Sequence, residues 1–158
     1  MLSSEVLDCA SRSVLCWLAT VDEVGQPNVS PKEIFACFDS AHLVIANLAS
    51  PGSARNVEIN PRVCVSFIDV FVQKGLKVFG TAQNIRRQDA GYAHWSSPLQ
   101  AKAGTRFPIH SVLVIRAKAI EPILAPSYRL YAAETSEQLQ IESAMRAYGV
   151  QPARDRYK

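Results

Sequence analysis

Short apolar runs separated by turn residues dominate the sequence, and most have the length and β-branched content of strands. A helix is predicted near the N-terminus, because Leu7, Ala10 and Val14 recur at helical spacing. Polar residues 96–107 predict an irregular, mobile loop. The predicted strands are 14–22, 28–38, 43–48, 62–72, 76–85 and 109–120, and the further predicted helices are 51–59, 87–95 and 135–149.

Six strands with short turns predict a mainly β fold, a closed or nearly closed antiparallel barrel with a few short helices. Pro31 predicts a bulge or a sheet edge in the second strand, and Gly80 predicts a bulge in the fifth. Residues 34–38 and 63–72 are apolar on both faces, which is more apolar surface than a thin barrel can bury. We therefore expect an obligate or nearly obligate homodimer.

Length and composition predict one globular domain over residues 1–150, followed by a flexible basic tail over 151–158. The net charge is only +3, and Arg86-Arg87 is the only adjacent basic pair, so no basic stripe for a nucleic acid is present. Four cysteines without C-x-x-C spacing indicate reduced core residues. The acidic N-terminus and the lack of an apolar run of ~20 residues argue against a signal peptide and a membrane span. We expect a cytoplasmic protein that binds neither nucleic acid nor membrane.

Sequence signatures of side-chain catalysis are missing: there is no H-E-x-x-H, no G-x-S-x-G, no Walker loop and no dinucleotide fingerprint. The three histidines, His42, His94 and His110, are isolated in the sequence, which is more typical of structural or solvated residues. Any redox or transfer chemistry would therefore need a cofactor to supply the reactive atom.

The strongest candidate site is the segment 45–61, IANLASPGSARNVEINP. Ser50 is a favoured helix N-cap, and Pro51 suits the first helical position. Small residues such as Ser53 leave the free backbone N–H groups of this helix start accessible, which makes it a natural phosphate site. Arg55 adds a charge that can pair with an anion. Ordinary capping explains the same pattern, so the segment needs support from elsewhere in the chain.

Two further positions can complete a pocket. Lys32 lies on an otherwise apolar strand, where a charge needs a partner or an exit to water. Lys74 and Gly75 lie between two apolar strands, where a glycine permits close approach of the backbone to a ligand. Two lysines and a helix start suit a phosphate, and the apolar strands suit a flat ring. Alternatively, Lys32 pairs with Glu33 or Asp69, and Lys74 is a surface hairpin residue.

Roughly residues 14–86 resemble the pyridoxamine 5′-phosphate oxidase-like, flavin-binding split-barrel family. The resemblance is carried by LATVDEVGQPNVSP, IANLASPGSARNVEINPRVCVSF and KGLKVFGTA, in this order. It implies a six-stranded split barrel that dimerises and binds FMN in a groove between its subunits. The site residues that it implies are Ser30, Lys32, Asn47, Ser50, Ser53, Arg55 and Asn56 around the phosphate, and Lys74 and Gly75 at the flavin ring.

The chain departs from the oxidases of that family in two places. They usually have an Arg-Lys pair after the capping serine, whereas this chain has Pro51-Gly52, so phosphate charge must come from Arg55, Lys32 or Lys74. The chain also lacks their final Arg- and His-containing motif, which argues against oxidation of pyridoxamine phosphate. The resemblance therefore implies an FMN-dependent oxidoreductase with an unidentified small substrate. The alternative is a module that stores or senses flavin, or haem, without turnover.

Overall fold

Seven antiparallel strands and five helices make up residues 2–105 and 107–152, the part of the chain that a computed structural model describes. The strands are β1 (Cys16–Val21), β2 (Pro27–Lys32), β3 (Phe35–Cys37), β4 (His42–Asn47), β5 (Arg62–Asp69), β6 (Lys74–Arg86) and β7 (Ser111–Leu124). The helices are α1 (Ser4–Arg12), α2 (Pro51–Ile59), α3 (Tyr92–Ala103), α4 (Ser127–Leu130) and α5 (Glu137–Tyr148). The predicted fold class, a mainly β split barrel with short helices, is confirmed.

One predicted strand, 28–38, is two strands in the structure, which raises the strand number from the expected six to seven. β2 pairs with β1 at one edge of the sheet, whereas β3 pairs with β4 at the other, in the order β2-β1-β5-β6-β7-β4-β3. Because only Glu33 and Ile34 separate β2 from β3, the two edges lie side by side and the sheet curls into a barrel. Pro31 lies on edge strand β2, as its missing N–H donor predicts. The register shift at Gly80 confirms the bulge predicted there.

Two apolar clusters stabilise the barrel, one inside it and one on its outer surface. On β4, Leu43 and Ile45 belong to the inner cluster, while Val44 and Ala46 belong to the outer one. The alternation follows from strand geometry, in which successive side chains point to opposite faces. Helix α3 covers the outer cluster through Leu99, so the second apolar face of residues 34–38 is buried within this chain, whereas no residue of 63–72 belongs to this cluster.

Helix α3 corrects the prediction of a loop over 96–107, since it continues to Ala103. Trp95, Leu99 and Ala103 are four residues apart and pack on the outer cluster. Pro98 lies inside the helix, and the polar residues around it concealed the periodicity in the sequence. The stabilisation gained by burying this face outweighs the helix-breaking tendency of Pro98.

The C-terminal helices follow β7, which ends at Leu124. Helix α5 is capped by Ser136, whose Oγ accepts a hydrogen bond from the Leu139 N–H, so it begins two residues after the predicted start at 135. Gly149 ends the helix in the left-handed region, as predicted. Most of the predicted basic tail, residues 153–158, lies outside the described residues. None of the described helices is long and apolar enough to span a membrane.

Candidate functional site

Helix α2 places a strip of polar side chains against β1 and β2, beside the apolar interior of the barrel. Ser53 and Asn56 are three residues apart, so they lie on one face of the helix, and both are buried. Opposite them, Lys32 on β2 and Thr20 on β1 are also buried. The same helix contributes Val57 to the inner apolar cluster, which anchors it to the barrel.

Lys32 is the most unusual of these residues, because it is only 5% exposed and has no ionic partner in the described part of the chain. Its ammonium donates one long hydrogen bond, to Ser53 Oγ at 3.4 Å. No carboxylate among the described residues pairs with it. Glu33 is exposed, and Asp69 instead lies 3.7 Å from the Arg12 guanidinium. The structure therefore excludes, for the described residues, the pairing of Lys32 with Glu33 or Asp69.

The electrostatic state of Lys32 follows from its burial. Removal from water lowers the pKa of Lys32, because the charged ammonium loses hydration without gaining a counter-ion. The neighbouring Cys16 cannot serve as that counter-ion, since burial raises the pKa of its thiol to about 12 and keeps it neutral. An anion placed at Lys32 would restore the missing interaction.

A cavity of about 340 Å³ opens beside Lys32. Ser50, which immediately precedes α2, lines this cavity. The first backbone N–H groups of a helix have no partner within the helix. Apolar side chains and the β2–β3 junction form much of its wall. Its lining residues are Leu15, Pro31, Lys32, Glu33, Ile34, Ala46, Leu48, Ala49 and Ser50. A buried cation, a helix N-terminus and apolar walls suit an anion attached to an apolar group.

The turn that leads from β4 into α2 is held by Asn47. Its Oδ1 accepts a hydrogen bond from the Ser50 N–H at 3.1 Å, and its Nδ2 donates to Ser111 Oγ at 3.0 Å. Ser50 occupies the predicted N-cap position, but its side chain makes no capping hydrogen bond. Its hydroxyl therefore remains available at the cavity, while Asn47 is committed to the protein itself.

Asn56 is also engaged within the protein. Its Nδ2 donates to Thr20 Oγ1 at 3.0 Å, and the same oxygen accepts a second hydrogen bond from Asn28 Nδ2 at 3.2 Å. Sequence reasoning missed Thr20 and Ser111. In the sequence, Thr20 is marked only as a polar residue near the end of an apolar strand, and Ser111 only as a polar residue near the start of one.

Arg55 and Ser30 lie at the margins of this polar strip. Arg55 is on the exposed side of α2, and it makes no hydrogen bond or ion pair with any part of the chain that the structure describes. Ser30 is half-buried on β2, on the same face as Asn28 and Lys32. Neither lines the cavity. Their roles at a phosphate stay predictions.

Lys74 and Gly75 lie away from this cavity, at the start of β6. The Lys74 ammonium donates to Glu137 Oε1 at 2.7 Å and lies 4.4 Å from the centre of the Tyr128 ring. The hydrogen bond to Glu137 raises the pKa of Lys74. At Gly75 an added Cβ would overlap the backbone oxygen of Phe67, so the sheet itself requires glycine there. A contact of either residue with a flavin ring stays a prediction.

The described residues include no group of three or more His, Cys, Asp and Glu side chains that could hold a metal ion.

A family model described as pyridoxamine 5′-phosphate oxidase matches residues 2–124. The chain belongs to the pyridoxamine 5′-phosphate oxidase family. The family match ends where β7 ends, so it covers the whole sheet but neither α4 nor α5. No curated protein matches the chain.

Solved structures share the fold of this pyridoxamine 5′-phosphate oxidase family member. HupZ from Group A Streptococcus is 26% identical with a TM-score of 0.65, over 76% of this chain and 92% of that chain. An FMN-binding protein from Syntrophomonas wolfei is 15% identical with a TM-score of 0.65, over 78% and 86%. HutZ, a haem storage protein from Vibrio cholerae, is 19% identical with a TM-score of 0.61, over 78% and 94%. At these last two identities the likeness shows the fold alone.

Proposed function

We propose that this chain is an FMN-binding flavoprotein and an FMN-dependent oxidoreductase that acts on an unidentified small substrate. The observation that carries the proposal is the buried Lys32 ammonium, which has no carboxylate partner among the described residues. The phosphate of FMN would supply the missing negative charge. Membership of the pyridoxamine 5′-phosphate oxidase family supports a flavin as the ligand.

The residues around the cavity fit the phosphate end of FMN. Lys32 would neutralise its charge, and Ser53 and the first N–H groups of α2 would donate hydrogen bonds to its oxygens. Asn47 would act indirectly, because it holds the Ser50 N–H and thus the turn before the helix. Bound FMN would supply the capacity to accept and donate electrons, which no side-chain constellation in the sequence provides.

A titration of the ligand-free protein with FMN and with riboflavin tests this proposal. We expect saturable binding of about one FMN per chain, and much weaker binding of riboflavin because it lacks the phosphate that Lys32 attracts. Quenching of flavin fluorescence measures both. Absence of saturable FMN binding would refute the proposal.

The alternative function is a module that stores or senses flavin, or haem, without turnover. The fold shared with HutZ is the reason to test it, although none of the three histidines lines the Lys32 cavity. Repeated reduction of bound FMN by NADH or NADPH, with reoxidation by an acceptor, would exclude a pure binder. A Soret band in the purified protein would favour haem instead.

We also propose that the protein acts as a cytoplasmic homodimer, with the outer faces of β1 and β2 in the interface. Trp17 is 40% exposed and lies directly opposite the exposed Pro31, and Val29 on the same face is 60% exposed. Such a contiguous apolar face is typical of an association surface. Light scattering at low micromolar concentration should give the mass of two chains. A stable monomer under those conditions would contradict the proposal.

The free thiols of all four cysteines are consistent with a reducing compartment such as the cytoplasm.

A further inference from the structure

Thr20 joins two strands and a helix through a single buried hydroxyl group. The residue is 1% exposed, and its Oγ1 accepts hydrogen bonds from Asn56 on α2 and from Asn28 on β2. A buried amide that loses its acceptor cannot turn to water, so this attachment is costly to break. Thr20 therefore fixes one turn of α2 to the sheet.

Helix α2 has a second polar attachment, and the two differ in quality. The contact between Asn56 and Thr20 is short, at 3.0 Å, and the Thr20 Oγ1 also accepts a hydrogen bond from Asn28. One turn earlier, the contact between Ser53 and Lys32 is 3.4 Å long and leaves the ammonium short of partners. The first contact joins neutral side chains, whereas the second holds a buried cation that has no counter-ion among the described residues.

We infer that Thr20 is a positioning residue for the phosphate site. Through Asn56 it holds α2 in place, so that Ser53 and the first N–H groups of the helix face Lys32 before any ligand arrives. This inference rests on the proposed function, because it concerns the same phosphate site. It assigns selectivity for phosphate-bearing over uncharged flavins to a residue that lies outside the cavity lining.

Substitution of Thr20 by valine removes the acceptor and keeps the shape of the side chain. We expect Thr20→Val to lower FMN affinity by about tenfold, because the phosphate donors are no longer held in place. Riboflavin affinity should change by less than about twofold, since riboflavin has no phosphate to misplace. The matched variant Thr20→Ser keeps the hydroxyl, and its FMN affinity should stay within about threefold of the wild type.

Amide hydrogen exchange in the ligand-free protein provides a readout that does not depend on FMN. In Thr20→Val the N–H groups of α2 should exchange faster, while those of β6 and β7 should keep their protection. Unchanged exchange in α2 would overturn the inference, as would equal weakening of FMN and riboflavin binding. If wild-type protein binds no FMN, the proposed function fails, and the exchange experiment still decides whether Thr20 positions the helix.

Discussion

Lys32→Met is expected to weaken FMN binding by about a hundredfold without weakening the fold. Among the described residues, Lys32 is the one buried cation that lines the cavity, and the substitution replaces it with an unbranched side chain of similar length. Loss of a buried charge pair between protein and ligand is worth roughly 3 kcal/mol, which corresponds to a factor of about one hundred in affinity. Riboflavin binding should change little, because it carries no phosphate.

The stability of the ligand-free variant distinguishes a binding role from a structural one. An ammonium that is buried without a counter-ion costs free energy, so the melting temperature of Lys32→Met should equal or exceed that of the wild type. Lys118→Met is the matched control, because this lysine is exposed on β7 and has no ionic partner among the described residues. The control should change neither FMN affinity nor stability. Equal losses of FMN and riboflavin affinity in Lys32→Met would show that Lys32 does not contact the phosphate.

The burial of Lys32 also predicts the direction in which the stability of the protein changes with pH. Burial lowers the pKa of Lys32 in the folded protein below its ordinary value of 10.5, so between the two values the unfolded chain binds more protons. The stability contributed by this residue in the ligand-free protein therefore rises as the pH approaches 10.5. A phosphate bound at the ammonium would favour the charged form and would therefore oppose this trend. In Lys32→Met this contribution should vanish, which chemical denaturation at several pH values would detect.

Gly75→Ala is expected to destabilise the ligand-free protein by about 3 kcal/mol, a fall in melting temperature of roughly 6–12 °C. Its added Cβ would overlap the Phe67 backbone oxygen and crowd the Cα of Ile68, so the pairing of β5 with β6 must distort. Thermal unfolding without any flavin measures the effect. Phe67 belongs to the inner cluster, so the distortion reaches the barrel core.

The control for this variant is Gly52→Ala. An added Cβ at Gly52 would meet no atom within 4 Å, and alanine is the better helix former, so its melting temperature should hold or rise. A Gly75→Ala protein as stable as the wild type, with weaker flavin binding, would show that the glycine is needed for the ligand and not for the sheet.

Local signals in the sequence predicted α2 and most of the barrel strands, although they merged β2 and β3 into one strand. The helix bounds follow from a serine before Pro51 and from Asn60 before Pro61, whose effects on the backbone act within a few residues. Helix α3 was harder, because its burial depends on contacts between Leu99 and strands far away in sequence. Pro98 and its polar neighbours gave the opposite local signal.

The sequence predicted which residues form the candidate site, but not which of their side chains contact one another. Residue type and position along the chain placed Lys32 and Ser53 in the site, yet only the folded chain shows that no carboxylate of the described residues reaches Lys32. The contact between Thr20 and Asn56 joins residues 36 positions apart. Gly75 illustrates the converse case, because its sequence context suggested a ligand contact whereas the neighbouring strand accounts for the glycine.

The junction between β2 and β3 belongs both to the seam of the barrel and to the wall of the cavity. Glu33 and Ile34 close the barrel, and both also line the space beside Lys32. A ligand bound there would therefore contact the seam of the barrel, and by mass action it would stabilise the folded chain against unfolding by about 2.7 kcal/mol at a hundredfold excess over Kd. Strand β2 is an open edge, and unpaired edges recruit strands from other molecules. If FMN is that ligand, as proposed, its supply would also limit the unfolded population from which such aggregation starts.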